Sequence, residues 1–106
     1  MQRAQPAGAA DDVIRSPANP TIKKIRSLRQ RKVRETERVF VVEGFRALAD
    51  AIAAGASPRV ILVREGDEIA AETWLGSSQP MRTASAPVFD QLAETVTPQG
   101  AIAVFP

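Results

Sequence analysis

"VFVVEGFRALADAIAAGASPRVILV", residues 39–63, reads as strand, helix and strand in immediate succession. The segments "VFVV" (39–42) and "RVILV" (59–63) carry apolar runs without alternation, the pattern of strands buried on both faces beneath helices. Gly44 opens the intervening turn, and Phe45, Leu48 and Ile52 then share one helical face. Gly55 stands where a helix would end. A unit of this kind, repeated along the chain, predicts an α/β domain with a central, mostly parallel sheet.

The repetition continues downstream. "REGDE" (64–68) is an acidic turn, "IAAETWL" (69–75) a short helix carrying Trp74, and "SSQP" (77–80) a loop. "MRTAS" (81–85) has the weaker pattern of a strand. A helix beginning at Pro87 places Phe89, Leu92 and Val96 on one face. "TPQG" (97–100) turns the chain into a last apolar strand, "AIAVF" (101–105). About four strands sandwiched by helices give a three-layer α/β/α architecture. Trp74 and Phe89, both in apolar helical stretches, read as core.

Upstream lies a very different segment. "IKKIRSLRQRKVR" (22–34) holds seven basic side chains in thirteen residues. Asn19 can cap a helix here, and Pro20 suits its first turn. On one helix through Arg34, the residues Ile22, Ile25, Leu28 and Val33 form a core-facing stripe. Lys23, Arg26, Gln30 and Arg34 form a polar stripe beside it, with Lys24 and Arg31 further toward solvent. Arg29 and Lys32 project near the apolar arc, so they must snorkel or the helix must end early. Residues 1–14 lack a periodic apolar pattern and read as a flexible tail before a domain spanning 15–106.

The chain has 106 residues, one domain's length, and contains neither cysteine nor histidine. Disulfides and thiolate chemistry are thereby excluded, and a histidine-based triad or zinc site has no residues to build it. Nothing approaches the length of a membrane-spanning helix, and no leader core precedes the domain, so the expected compartment is the cytoplasm. The formal net charge of +2 hides a strong asymmetry. Residues 15–38 carry nine basic and two acidic side chains, +7, whereas residues 39–106 carry four basic and eight acidic, −4. Charge so localised points to an anionic partner, with nucleic acid the leading class.

The segments "SPANPTIKKIRSLRQRKVRETERVFVVEGFRALADAI" (16–52) and "AETVTPQGAIAVF" (93–105) resemble the N-terminal substrate-binding domain of the SpoU (TrmH) family of RNA 2'-O-ribose methyltransferases. The matching elements are Asn19-Pro20, Lys23, Leu28, Arg34, Phe40, Glu43-Gly44 and Thr97-Pro98-Gln99-Gly100-Ala101, in the family's order. The resemblance implies an α/β/α fold like that of kink-turn-binding ribosomal proteins. It implies a domain that holds ribosomal, or else transfer, RNA for a larger knotted C-terminal domain. That second domain would bind S-adenosylmethionine, form the homodimer and transfer the methyl group, and it is absent from this chain. The parent protein would then be an RNA 2'-O-methyltransferase, while this chain alone holds no cofactor and is not catalytic.

The candidate RNA contacts are Lys23, Lys24, Arg26, Arg31 and Arg34 on the basic helix, as phosphate-neutralising cations. The bland alternative for the same residues is a solvated helix face. Arg46, in the first turn of the helix after Gly44, stands beside the carboxyl end of a strand, where ligands gather in α/β sheets. Gln99, in the turn before the last strand, carries a donor and an acceptor for a base edge. Glu43 and Gly44 read as structural. No metal-ligand cluster, Gly-rich phosphate loop or nucleophile–base pair is visible. The competing class is a stand-alone ribosome-associated module that binds RNA or protein.

Overall fold

The computed structural model describes residues 12–93 and 100–106. Its elements run α1 (Pro20–Ser27), α2 (Arg31–Glu37), β1 (Phe40–Glu43), α3 (Phe45–Ala53), β2 (Val60–Arg64), α4 (Glu68–Leu75), β3 (Met81–Ala84), α5 (Ala86–Leu92) and β4 (Ala101–Phe105). The strands form one sheet in the order β1-β4-β2-β3.

Side chains alternate across this sheet and divide the core in two. Leu62, Ile102 and Val104 pack with Ile22, Ile25 and Leu28 of α1 and with Val88, Phe89 and Leu92 of α5. Ile61, Val63, Ala101, Ala103 and Phe105 pack on the other face with Leu48 of α3 and Ala71 and Leu75 of α4. The result is the expected α/β/α sandwich. Its most protected element is β4, in which all five residues are buried.

The sheet is mixed rather than mostly parallel. β2 and β3 are parallel, but β4 runs antiparallel to both β1 and β2. The strand–helix–strand unit at 39–63 does return β2 in the direction of β1. The two are not neighbours, however, because the last strand inserts between them. This places β1 at an edge, with its first two residues exposed, and so overturns the reading of residues 39–42 as an inner strand. Composition does not separate the cases: an edge strand flanked by one neighbour has the same apolar run as a central one.

The basic segment is two helices, not one. α1 starts as its sequence dictates, with the Asn19 side chain accepting from the Thr21 amide at 2.8 Å and Pro20 at the first position. It stops at Ser27, and α2 begins at Arg31 and ends at Arg38, which adopts a left-handed φ of 57°. The break answers the conflict on the helical wheel. It frees Arg29 to reach the end of α5 while leaving Leu28 buried and Val33 packed against the same core.

Two further expectations change. Ile14 is not tail: it is buried, and its backbone bridges β3 through Ile14 N–H to Thr83 O and Ser85 N–H to Ile14 O, both 2.8 Å. An isolated isoleucine beyond any periodic stretch gives no pattern from which to read this. Trp74 is half exposed on α4 rather than core, while Phe89 is buried as expected. Val96 lies outside the described residues.

Candidate nucleic-acid interface

α1, α2 and the turn between them carry seven basic and two acidic side chains from Pro20 to Glu37, a net of +5 on one layer of the sandwich. Their apolar residues face the sheet, so the charge is left on the outer surface. The cations do not all do the same work.

Arg34 and Arg29 serve backbone carbonyls. Arg34 Nη1 donates to Leu28 O at 2.7 Å and Arg29 O at 2.8 Å, closing the carbonyl end of α1 where the helix breaks. Arg29 Nη2 donates to Gln91 O at 3.1 Å, Ala93 O at 3.0 Å and Leu92 O, at the carboxyl end of α5. A guanidinium there meets the negative end of the helix dipole as well as unsatisfied carbonyls. The helical wheel sets Arg34 among the phosphate-binding cations; in the fold its Nη1 is committed to holding the chain together.

Lys24 and Arg31 are paired with acids, the first across the two helices and the second within α2. Lys24 meets Glu37, and Arg31 Nε meets Glu35 Oε2 at 2.7 Å one turn away. The Arg31 pair is solvent-exposed and the Lys24 pair partly so, and such pairs contribute little to stability and yield readily to a stronger anion. Arg26 makes one long hydrogen bond, 3.4 Å, to Pro17 O. Lys23 is exposed and has no partner among the described residues. Lys23, Lys24, Arg26, Arg31 and Arg34 are thus brought onto one layer. Lys23 and Arg26 are the most available of them.

Arg46 is exposed in the first turn of α3, on the opposite layer, and so is not part of that cluster. Gln99 lies outside the described residues. Beside it, Gly100 has φ +84°, and a Cβ there would stand 2.6 Å from a ring carbon of Phe45 and 3.0 Å from Asp67 Oδ2. Gly100 therefore occupies a gap that only glycine fits. Gly44, at φ 104°, donates its amide to Ala101 O at 2.9 Å, which confirms its structural role at the same end of the sheet.

Three residues on or beside the cationic layer are not among the contacts that the sequence pattern marks. Lys32 and Arg38 are exposed, and neither side chain has a partner among the described residues. Phe40, 46% exposed at the start of edge strand β1, borders that layer at the sheet edge while its ring stacks on Phe105 on the α3–α4 side. Together with Arg31, Arg34 and Pro106, Arg38 and Phe40 line an open concavity at the sheet edge. The sequence signal that points here is the adjacency of Arg38 to an apolar run. It is legible only once β1 is known to be an edge. Among the described residues no group of acids is placed to hold a metal ion, and no helix is long and apolar enough to cross a membrane.

The model of the MRM3-like substrate binding domain matches residues 19–103. None of the curated proteins compared matches the chain. Among solved structures, an RNA 2'-O ribose methyltransferase is 32% identical, with a TM-score of 0.76 over 87% of this chain and 36% of that one. An rRNA methyltransferase from Sinorhizobium meliloti is 26% identical, with a TM-score of 0.68 over 87% of this chain and 35% of that one. An RNA methyltransferase assigned to the TrmH family, from Porphyromonas gingivalis, is 27% identical, with a TM-score of 0.63 over 83% of this chain and 34% of that one. The chain therefore spans roughly a third of the length of each of these structures. Basic helices outside a two-sided α/β core, on residues that the family model covers almost end to end, make this chain a member of the MRM3-like substrate-binding domain family.

Proposed function

We propose that this chain is the RNA-holding domain of an S-adenosylmethionine-dependent ribose 2'-O-methyltransferase of the SpoU/TrmH type, acting on ribosomal RNA. The single observation that carries the reading is the net +5 layer of α1, α2 and their connecting turn, whose apolar sides are anchored in the core and whose Lys23 and Arg26 remain available. Methyltransferase relatives of the same fold support the reaction, and one of those compared is an rRNA enzyme. The methyl transfer, the cofactor and the homodimer belong, in this proposal, to a separate catalytic domain, and the compartment is the cytoplasm.

The chemistry of the domain is that of a positioning surface. Lysines and arginines replace counterions along the RNA backbone, giving affinity that is independent of sequence and falls with salt. Interactions remote from the reacting ribose bind ground state and transition state alike, so they act mainly on KM. The test is an NMR titration of the chain with ribosomal RNA hairpins. Amide shifts confined to Thr21–Arg38 and the β1 edge are expected, with α4 silent. Shifts centred on α4, or none at saturating RNA, would overturn the assignment. Incubation with labelled S-adenosylmethionine and RNA is expected to leave the RNA unlabelled by this chain alone.

A further inference from the structure

We propose that the exposed edge of β1 is a docking site for an unpaired RNA nucleotide, its base stacked on Phe40 and its flanking phosphates held by Arg38, Arg31 and Arg34. The proposal rests on the RNA-binding reading and deepens it, because a base platform separates single-stranded from duplex RNA.

Phe40 is an aromatic ring held ready. It stacks on Phe105 with centroids 5.2 Å apart and planes 9° from parallel, and Phe105 is fully buried. The inner side of Phe40 is thus fixed by the core, while 46% of the residue remains open to solvent at the sheet edge. Base stacking on such a ring requires no particular base, since every base has a π-face.

The surroundings select an anion. Arg31, Arg34 and Arg38 line the concavity that Phe40 and Pro106 complete, against Glu35 as the one acid in the lining. Arg38 holds the left-handed backbone that ends α2, an uncommon conformation for a non-glycine residue, and its side chain has no partner among the described residues. Arg34 is immobilised through Nη1 alone, so its fork is oriented without being used up. Arg31 exchanges an exposed pair with Glu35 for a phosphate at little cost. Trp74 provides the contrast: it is half exposed too, but α4 bears Glu68 and Glu72 and no basic residue, so it offers a phosphate no partner.

The test uses the full 106-residue chain with labelled oligouridine and an A-form RNA duplex of equal length. Phe40→Leu is expected to weaken oligouridine binding about five- to a hundred-fold, with the salt slope and the duplex affinity unchanged. In a Trp74→Phe background, Phe40→Trp is expected to lose indole emission when oligouridine is added, which gives a readout even if Phe40→Leu folds poorly. The proposal is overturned if folded Phe40→Leu keeps wild-type affinity for oligouridine and the indole is not quenched. A wild-type chain that binds duplex but not oligouridine sinks this site and leaves the RNA reading standing. Binding of neither sinks both. A dimer that Phe40→Leu dissolves, with RNA affinity untouched, would assign the edge to a second copy instead.

Discussion

Gly100 shows how little room single residues have here. A methyl at this position meets the Phe45 ring at 2.6 Å on a backbone with φ +84°. Gly100→Ala should therefore cost about 2–4 kcal/mol, combining left-handed strain and overpacking, and a urea titration measures it. The arginines make the same point about reading charge from sequence. Lys23 and Arg34 stand in one stripe of a helical wheel, yet one is exposed with no side-chain partner among the described residues and the other donates to Leu28 O and Arg29 O. Arg34→Gln should lose about 1–3 kcal/mol, because carbonyls at the helix break are left without a donor. Lys23→Gln should change stability by no more than about 0.5 kcal/mol. Equal urea midpoints for the two variants would show that Arg34 is not part of the scaffold. No helical wheel distinguishes these roles, since the partners of Arg34 exist only once the chain breaks at residues 28–30.

At the scale of elements, the apolar periodicities were the legible part. Ile22, Ile25 and Leu28 are buried where the spacing places them, as are Leu48, Phe89 and Leu92. Ile25→Ala or Leu28→Ala should each cost about 2–5 kcal/mol by leaving a cavity in the α1–α5 side of the core. Ile14→Ala should cost a similar amount, about 2–5 kcal/mol, although nothing in its local sequence marks it. A neutral Ile14→Ala would return it to the tail. What periodicity did not reveal is adjacency: β1 lies beside β4 because it pairs with residues 102–105, at the far end of the chain. The ion pair between Arg64 and Asp90, 2.9 Å from Nε to Oδ1, ties the end of β2 to α5. The hydrogen bond from Arg64 holds the Asp90 carboxyl below its ordinary value of 3.8. Its contribution is therefore present above that value and lost as pH falls through the lower folded one. Asp90→Asn should be less stable than wild type at neutral pH and indistinguishable from it in strong acid, by thermal melts at low salt. Because both side chains are partly exposed, the gap should be small and shrink in high salt.

For the molecule as a whole, the α/β/α layers and the location of the charge were readable because each depends on local composition. Apolar runs make strands, amphipathic runs make helices, and the charges of a +7 segment stay outside the core. The mixed sheet and the exposed Phe40 were not readable, because both depend on where the last strand inserts. With the layers in place, α1 and α2 become a cationic face built into the fold, and RNA docking on that face is the central claim. The measurement that tests it most directly is the slope of log Kd against log salt for single-stranded RNA, in wild type and in the combined variant Lys23→Gln, Arg26→Gln and Lys32→Gln. The combined variant should keep its fold, bind all RNA sequences more weakly, and show a slope shallower by about 0.7 for each phosphate that no longer meets a cation. A folded variant with wild-type affinity and wild-type slope would contradict the account.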